Sequence, residues 1–351
     1  MNQKKLTIVI GAGASKELAL PLGSELRSQI ASLLDIQFDR AQQVRGDNII
    51  TSALRLEARQ NAEWSGNING YLPAAWAIRD AMPQAISIDH FIDSRHDDTK
   101  IEQCAKLAIV RCILAAEKHS NIYIDPRKNR GIDYNATEIT WLNSFMRLLT
   151  EDCRISDLDK RLESVAFIIF NYDRCVEHYL HFALRNYFKI PEDWATELLK
   201  KTCIYHPYGS VGLLPWQGGS GQVEFGEELW EQRLIERAKG IRTFTEGTDS
   251  ISSDISEIRH LIKSSQNLLF LGFAFHKLNM QLLANSTNPQ PLPDTSRVFA
   301  TAKGISNFDR DHIATELCRM RSCKPEQVHI RSDLTCHDIF AEFARGLSLA
   351  S

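Results

Sequence analysis

A turn of small residues near the start of the chain is the first feature suited to chemistry. The turn follows five apolar residues, 6–10, and consists of Gly11, Ala12, Gly13, Ala14 and Ser15. A buried strand that turns at once into a helix directs backbone N–H groups and a positive helix end at one point, which suits a phosphate or pyrophosphate. Glycine at 11 permits the tight turn, and glycine at 13 lets a phosphate approach the backbone.

This turn alone leaves two interpretations open. The GxGxxG fingerprint of dinucleotide-binding proteins is incomplete, because Lys16 occupies the position of the third glycine. Similar turns also connect strands to helices in proteins that bind nothing there. The turn therefore fits either a dinucleotide site or a plain connection.

Polar or glycine-containing turns also end three later apolar segments, at 171–173, 206–210 and 272–279. Open α/β sheets bind their ligands just beyond the carboxyl ends of the strands. The sequence therefore predicts that all four turns meet at one nucleotide crevice. The candidates in the three later turns are Asn171, Asp173, His206, Tyr208, Gly272, Phe273 and Asn279.

The elements that have to position these turns alternate between strand and helix. Strands are predicted at 6–10, 164–170, 202–205, 267–275, 297–301 and 328–330. Helices are predicted from residue 24 and at 174–187, 227–239, 254–264, 307–320 and 337–347. Such alternation predicts an α/β fold, a Rossmann-like doubly wound parallel sheet.

Residues 41–150 interrupt this alternation. Apolar residues recur there at helical spacing, without strand-like runs, at 49–62, 74–82, 102–116 and 138–149. We therefore expect a large helical insertion after the first strand–helix unit. The domains are then 1–40 and 151–351, which form the Rossmann-like part, with the insertion between them.

One segment of the insertion, residues 87–98, combines a helix start capped by Ser87 with a cluster of polar residues. The spacing of four of these residues permits either a metal site or solvated charges at a helix end. The four are Asp89, His90, Asp93 and His96.

The composition limits the classes of function. The 351 residues are 43% hydrophobic and 24% charged, and the formal charge of −3 gives no reason to expect direct nucleic-acid binding. No apolar run approaches the roughly 20 residues that span a bilayer. We expect a soluble, cytoplasmic protein without a signal peptide. The eight cysteines include no CxxC pair, so we expect free, mostly buried thiols and no zinc.

Together the four turns resemble those of the SIR2 (sirtuin-related) superfamily, specifically the bacterial SIR2-like NAD-hydrolysing domains of anti-phage defence. Residues 11–15 resemble the family's GAG-x-S pyrophosphate turn, and 170–173 resemble its N-x-D segment beside the nicotinamide ribose. Residues 271–275, with Asn279, are similar to the turn beside the adenosine ribose and phosphates. The segment SIDHF, 87–91, is also similar to these relatives.

The resemblance implies that NAD, or NADP, is hydrolysed to nicotinamide and ADP-ribose. It implies that Asn171 is catalytic, that Asp173 contacts the nicotinamide amide, and that the N–H groups around Gly13 and the hydroxyl of Ser15 bind the pyrophosphate. It further implies an oligomer held in check by a companion defence protein, such as an ATPase.

Three departures from the family matter. The paired CxxC motifs of deacylase sirtuins are absent, and their NAD-covering loop is represented only by LALPLGSEL, which keeps Pro21. Both departures argue against deacylation. The family's catalytic His directly precedes a Gly, a position that Tyr208 occupies here. His206 shares a strand face with Tyr208, so either residue could take that role.

Structural explanations compete with each assignment. Asn171 and Asp173 could cap the following helix, His206 could be a core histidine, and Gly272 could serve close packing alone. Two other functions remain open. One is a nucleotide-binding regulatory subunit without chemistry. The other is a dehydrogenase, in which Asp35 would be the acidic residue after the glycine turn.

Overall fold

A parallel sheet of six strands forms the centre of the fold. The computed structural model describes residues 3–60, 66–128, 131–248, 254–284 and 293–350. The sheet order is β5-β4-β1-β6-β7-β8, with every neighbouring pair parallel. Its strands are β1 (Leu6–Ile10), β4 (Val165–Ile169), β5 (Cys203–Tyr205), β6 (Asn267–Leu271), β7 (Arg297–Thr301) and β8 (Val328–Arg331). This order is that of a doubly wound Rossmann-like sheet, so the predicted fold class is confirmed.

The three central strands end at the same level. Leu6 of β1 pairs with Val165 of β4 on one side and with Asn267 of β6 on the other, and this register continues without a bulge to Ile10. Every residue of these strands is buried, as expected for strands covered by helices on both faces. Because the strand order reverses at β1, a crevice opens at the carboxyl ends there.

Helices cover both faces of the sheet. In the first half of the chain they are α1 (Ala12–Ser15), α2 (Gly23–Leu33), α3 (Asn48–Gln60), α4 (Leu72–Ala81), α5 (Ile88–Asp93), α6 (Thr99–His119), α7 (Trp141–Thr150) and α8 (Leu158–Glu163). In the second half they are α9 (Cys175–Phe188), α10 (Glu192–Lys201), α11 (Glu231–Ala238), α12 (Phe244–Thr248), α13 (Ile255–Ser264), α14 (Lys277–Leu283), α15 (Asn307–Arg321), α16 (Asp338–Glu342) and α17 (Ala344–Leu347).

The helices expected between 41 and 150 are present, and they divide between the two faces of the sheet. Helices α3 to α6 share one core with Val9 and Ile168. Helix α7 packs in the opposite core, with Ile8 and Phe167. The last two residues of the helix expected at 49–62 lie outside the described residues. None of the described helices combines the length and the apolarity that are needed to cross a membrane.

Three details differ from the sequence predictions. A hairpin of β2 (Gln37–Asp39) and β3 (Gln42–Arg45) extends into the insertion, where no strand is expected. Its two turn residues, Arg40 and Ala41, both have positive φ, which is the geometry of a tight hairpin but usually needs Gly or Asn. The helix expected at 337–347 is two short helices. The strand expected at 267–275 stops at 271.

The early end of β6 has a physical cause at Gly272. This residue has φ +55°, which takes the chain out of the strand and across the end of β1. A Cβ atom there would lie 2.1 Å from the backbone N of Ala14. The two turns therefore meet through their backbones, and only glycine fits.

All eight cysteines lie in the described part of the chain and are free thiols. Four of them are buried and the other four are half-buried. The prediction of free thiols is confirmed.

We predict that Gly272→Ala lowers the free energy of unfolding far more than Gly304→Ala does. Gly304 also has positive φ, at +84°, but nothing lies within 4 Å of its would-be Cβ. Backbone strain alone costs about 1–2 kcal/mol, whereas the added backbone clash at 272 raises the loss beyond about 4 kcal/mol. Urea unfolding of both variants measures the difference, and equal losses would contradict the proposed contact.

Candidate functional site

A cleft of about 850 Å³ lies at the carboxyl ends of β1, β4, β6 and β7. It occupies the crevice predicted from the strand order, and residues from all four predicted turns line it. The predicted site residues on its surface are Gly11, Ala12, Gly13, Asn171, Tyr208, Gly272, Phe273 and Asn279. The remaining predicted site residues do not line it: Ala14, Ser15, Pro21, Asp173 and His206.

The glycine turns are held together by backbone contacts. The N–H of Gly13 donates to the carbonyl of Gly272 at 2.9 Å, and the N–H of Gly11 donates to Leu271 at 3.0 Å. A Cβ on Gly11 would lie 2.6 Å from the Gly272 oxygen. Close packing therefore accounts for these glycines.

The N–H of Gly13 is consequently not available to a pyrophosphate, contrary to the sequence expectation. The hydroxyl of Ser15 is not available either, because it is buried and donates to Asp173 at 2.9 Å. Helix α1 has only four residues, so its positive end is weak. In the described structure, the N–H of Ala12 remains without a partner at the cleft surface.

A chain of hydrogen bonds fixes the side chain of Asn171. Its Nδ2 donates to Ser15 Oγ at 2.7 Å, and Ser15 donates in turn to Asp173 Oδ2. Because the Ser15 hydroxyl donates its one hydrogen to Asp173, it can only accept a hydrogen bond from Asn171. The direction of this hydrogen bond fixes which end of the Asn171 amide faces Ser15. Oδ1 of Asn171 is left without a hydrogen-bond partner among the described residues, at the edge of the cleft.

Asp173 supports this chain from beneath the cleft. It is 3% exposed, and its Oδ1 accepts the N–H of Cys175, the first residue of α9, at 3.1 Å. Asp173 therefore satisfies one of the free N–H groups at the start of α9, although Arg174 and not Asp173 is the N-cap residue. Direct contact between Asp173 and a nicotinamide amide, which the resemblance implies, does not fit this buried position.

His206 also lies behind the cleft. Its Nε2 is 2.7 Å from Oε1 of Glu177, and its Nδ1 is 3.1 Å from the backbone oxygen of Asn171. Burial opposes a charge on the ring, but the Glu177 carboxylate and the two hydrogen bonds outweigh it and raise the pKa of His206 above its ordinary value. Both nitrogens therefore donate, and neither is free to take a proton from a molecule in the cleft.

Tyr208 lines the cleft as a neutral phenol. Its hydroxyl donates to Oδ1 of Asn279 at 2.7 Å, and burial raises the pKa of Tyr208 far above its ordinary value. Its ring meets Phe170 edge to face, and Phe170 meets Phe273 in the same way. These aromatic rings form an apolar wall at the end of the cleft near Asn171.

Seven charged or titratable residues that line the cleft are not among the nucleotide-site residues predicted in the sequence analysis. The hydroxyl of Tyr172 donates to Asp89, a residue considered there only for a metal site or a solvated helix end. Across the described residues, no group of three or more His, Cys, Asp or Glu side chains is arranged to hold a metal ion. The position of Asp89 two residues after Ser87, in the SIDHF segment that resembles the family, was the sequence feature that could have indicated its place in the cleft. The seven residues are Lys16, Glu17, Arg27, Asp89, His276, Lys303 and Cys336.

Comparison of the sequence with protein-family models and with curated proteins finds no match.

We predict that the His206–Glu177 pair makes stability depend on pH. Because folding raises the pKa of His206 above 6.5, its contribution is complete below that pH and is lost as pH rises through the folded-state pKa. The free energy of unfolding of the wild type should therefore fall above pH 6.5 by more than that of His206→Gln. Urea unfolding between pH 6 and 9 tests this, with the exposed His312→Gln as control. A steeper fall in His206→Gln would contradict it.

Proposed function

We propose that this protein is an NAD⁺ glycohydrolase, which uses water to cleave NAD into nicotinamide and ADP-ribose. The observation that carries the proposal is the oriented amide of Asn171. It stands beside a cleft at the switch point of a Rossmann-like sheet, and the Ser15–Asp173 chain turns its Oδ1 away from the protein's own donors. The resemblance to SIR2-like domains gives this asparagine the same role.

The cleft has the size and the charges for a dinucleotide. Its volume of about 850 Å³ lies within the usual range of ligand pockets. Three cations line it, Lys16, Arg27 and Lys303, and Nε of Arg27 is buried without a hydrogen-bond partner in the described structure. Arginine and lysine are the usual partners of phosphate oxygens, so these side chains suit the pyrophosphate better than the occupied N–H groups of the glycine turn. NAD and NADP are both candidate substrates.

The reaction passes through a ribose with the character of an oxocarbenium ion. Breaking the bond from C1′ to the nicotinamide nitrogen leaves positive charge on the ribose, and an oriented acceptor oxygen stabilises that charge without having to reorganise. We assign this role, or the positioning of the ribose hydroxyls or the water, to Asn171. Ser15, Asp173 and His206 are positioning residues, because they act on Asn171 and not on the substrate.

The resemblance also suggests control by a partner. Unrestrained hydrolysis of NAD would deplete the cell, so we propose that a companion defence protein, such as an ATPase, restrains a cytoplasmic homo-oligomer until infection. The partner, the homo-oligomer and the cytoplasmic location are proposed from the resemblance alone.

One observation favours a second function, a nucleotide-binding regulatory subunit without chemistry. The family histidine has no free equivalent, since both nitrogens of His206 are engaged. The dehydrogenase alternative loses its support, because Asp35 is paired with Arg79 at 2.8 Å and does not line the cleft.

We predict that Asn171→Ala lowers kcat for NAD hydrolysis by at least about 100-fold and leaves binding of ADP-ribose within a few-fold. The measurements are release of nicotinamide and ADP-ribose by chromatography, for the chain alone and with its native partner, and calorimetry for binding. Asn186→Ala, at an exposed position of α9, is the matched control. Equal turnover in Asn171→Ala and wild type, with nucleotide bound by both, would favour the regulatory subunit.

A second prediction separates positioning from contact with substrate. Ser15→Ala removes the hydroxyl between Asn171 and Asp173, so the amide can rotate, and we expect kcat to fall about 10- to 100-fold with little change in KM. Ser28→Ala, exposed on α2, should behave as wild type. A rise in KM at unchanged kcat would instead mean that Ser15 binds the substrate.

A further inference from the structure

Hydrolysis needs a group that accepts the proton of the attacking water, and most titratable groups of the described cleft are already committed. His206 and Tyr208 both donate their protons to protein acceptors. Glu17 accepts the backbone N–H groups of Trp141 at 2.7 Å and His337 at 2.9 Å. Both nitrogens of His206 and the hydroxyl proton of Tyr208 are therefore engaged, and each oxygen of Glu17 already accepts one backbone N–H.

Cys336 is also unsuitable, although it lines the cleft. Burial raises the pKa of its thiol to about 12, so it stays protonated at neutral pH. Lys16 forms an ion pair with Glu25 at 2.6 Å and is not a candidate base.

His276 differs from all of these groups. It follows the chain crossing at Gly272, precedes α14, and lines the cleft that Asn171 also lines. Its ring is exposed to solvent and has no hydrogen-bond partner among the described residues. The protein around it removes enough water to lower the pKa of His276 below its ordinary value, so the neutral ring offers a free nitrogen at neutral pH.

Asp89 lines the same cleft as His276 and is held by the segment that presents Asn171. The hydroxyl of Tyr172, the residue between Asn171 and Asp173, donates to Asp89 Oδ1. The charge of the Asp89 carboxylate raises the pKa of His276, although burial, which raises the pKa of Asp89, opposes that charge. One tripeptide thus orients Asn171 towards the cleft and holds the carboxyl group that acts on His276.

We propose that His276 is the general base of the hydrolysis and that the carboxylate of Asp89, on the same cleft, supports it electrostatically. This inference rests on the proposed function. The water oxygen bonds to C1′ of the ribose while the bond from C1′ to the nicotinamide nitrogen breaks. The electron pair of the breaking bond stays on that nitrogen and neutralises the pyridinium. His276 takes one proton from the water and releases it to the solvent at the cleft mouth. The balance is NAD⁺ and water giving nicotinamide, ADP-ribose and a proton.

Charged groups on several elements act on His276. Asp89 raises its pKa, whereas Arg27 of α2 and His90 of α5 lower it. Lys277 follows it in the chain. Helices α12 and α13, which pack against α14, carry Glu246, paired with Lys106 at 3.0 Å, and Arg259, bound to the Leu282 carbonyl at 3.0 Å. Of these groups, Asp89 is the carboxyl that acts directly on the ring.

The test is the pH profile of kcat/KM for NAD in the full chain. We expect His276→Gln to lower kcat by about 100- to 10,000-fold and to abolish the acid limb, with binding of ADP-ribose unchanged. Asp89→Asn should move the acid limb to lower pH, because loss of the carboxylate charge lowers the pKa of His276. A merely structural role of Asp89 would not move that limb. His260→Gln, exposed on α13, is the control.

Chemical rescue gives a second readout. Added imidazole should restore turnover to His276→Ala and not to Asn171→Ala. Suppose that the wild type is active and Asn171→Ala is inactive. Wild-type turnover in His276→Gln would then overturn this inference and leave the proposed function standing. An acid limb that does not move in Asp89→Asn would do the same. A wild type without turnover, alone and with its partner, overturns both.

Discussion

The backbone contact between the turns that follow β1 and β6 is the constraint on which the site depends. Gly11, Gly13 and Gly272 approach so closely that a Cβ on any of them would lie within 3 Å of the opposite turn. This contact ends β6, carries the chain across the crevice and fixes Ser15 beneath it. The positions of Asn171 on one side and of His276 on the other follow from the same crossing.

A second layer of buried polar groups holds the segment after β4 against this crossing. Arg174 and Glu117 form an ion pair at 2.5 Å, with side chains 1% and 0% exposed. Arg174 also donates to the carbonyls of Val223 and Glu224. Breaking such a pair leaves an uncompensated buried charge, which is strongly destabilising. Buried polar contacts therefore hold the segment from Asn171 to Glu177, which suits residues that have to keep an amide in one orientation.

This layering separates the groups that support the site from the groups that face the cleft. Ser15, Asp173 and His206, which the family resemblance marks for direct contact with NAD, have all their polar atoms engaged within the protein or lie beneath the surface. Among the described residues, Oδ1 of Asn171 and the ring of His276 have no hydrogen-bond partner and line the cleft. The proposed hydrolase thus keeps the asparagine of the SIR2-like pattern and obtains its base from a different turn.

The sequence by itself determined where the strands of the parallel sheet lie, because a strand buried on both faces needs an unbroken apolar run, and it determined that four polar turns follow such strands. It also predicted the cap of Ser87, which accepts the N–H of His90 at 3.1 Å, because capping is a local interaction. It did not predict the β2–β3 hairpin or the early end of β6. Only the tertiary structure decided which polar side chains face the cleft. His206 is turned away by Glu177, 29 residues earlier in the chain, and Asp89 is brought in by Tyr172, 83 residues later. Such roles depend on partners distant in sequence, and no local pattern encodes them.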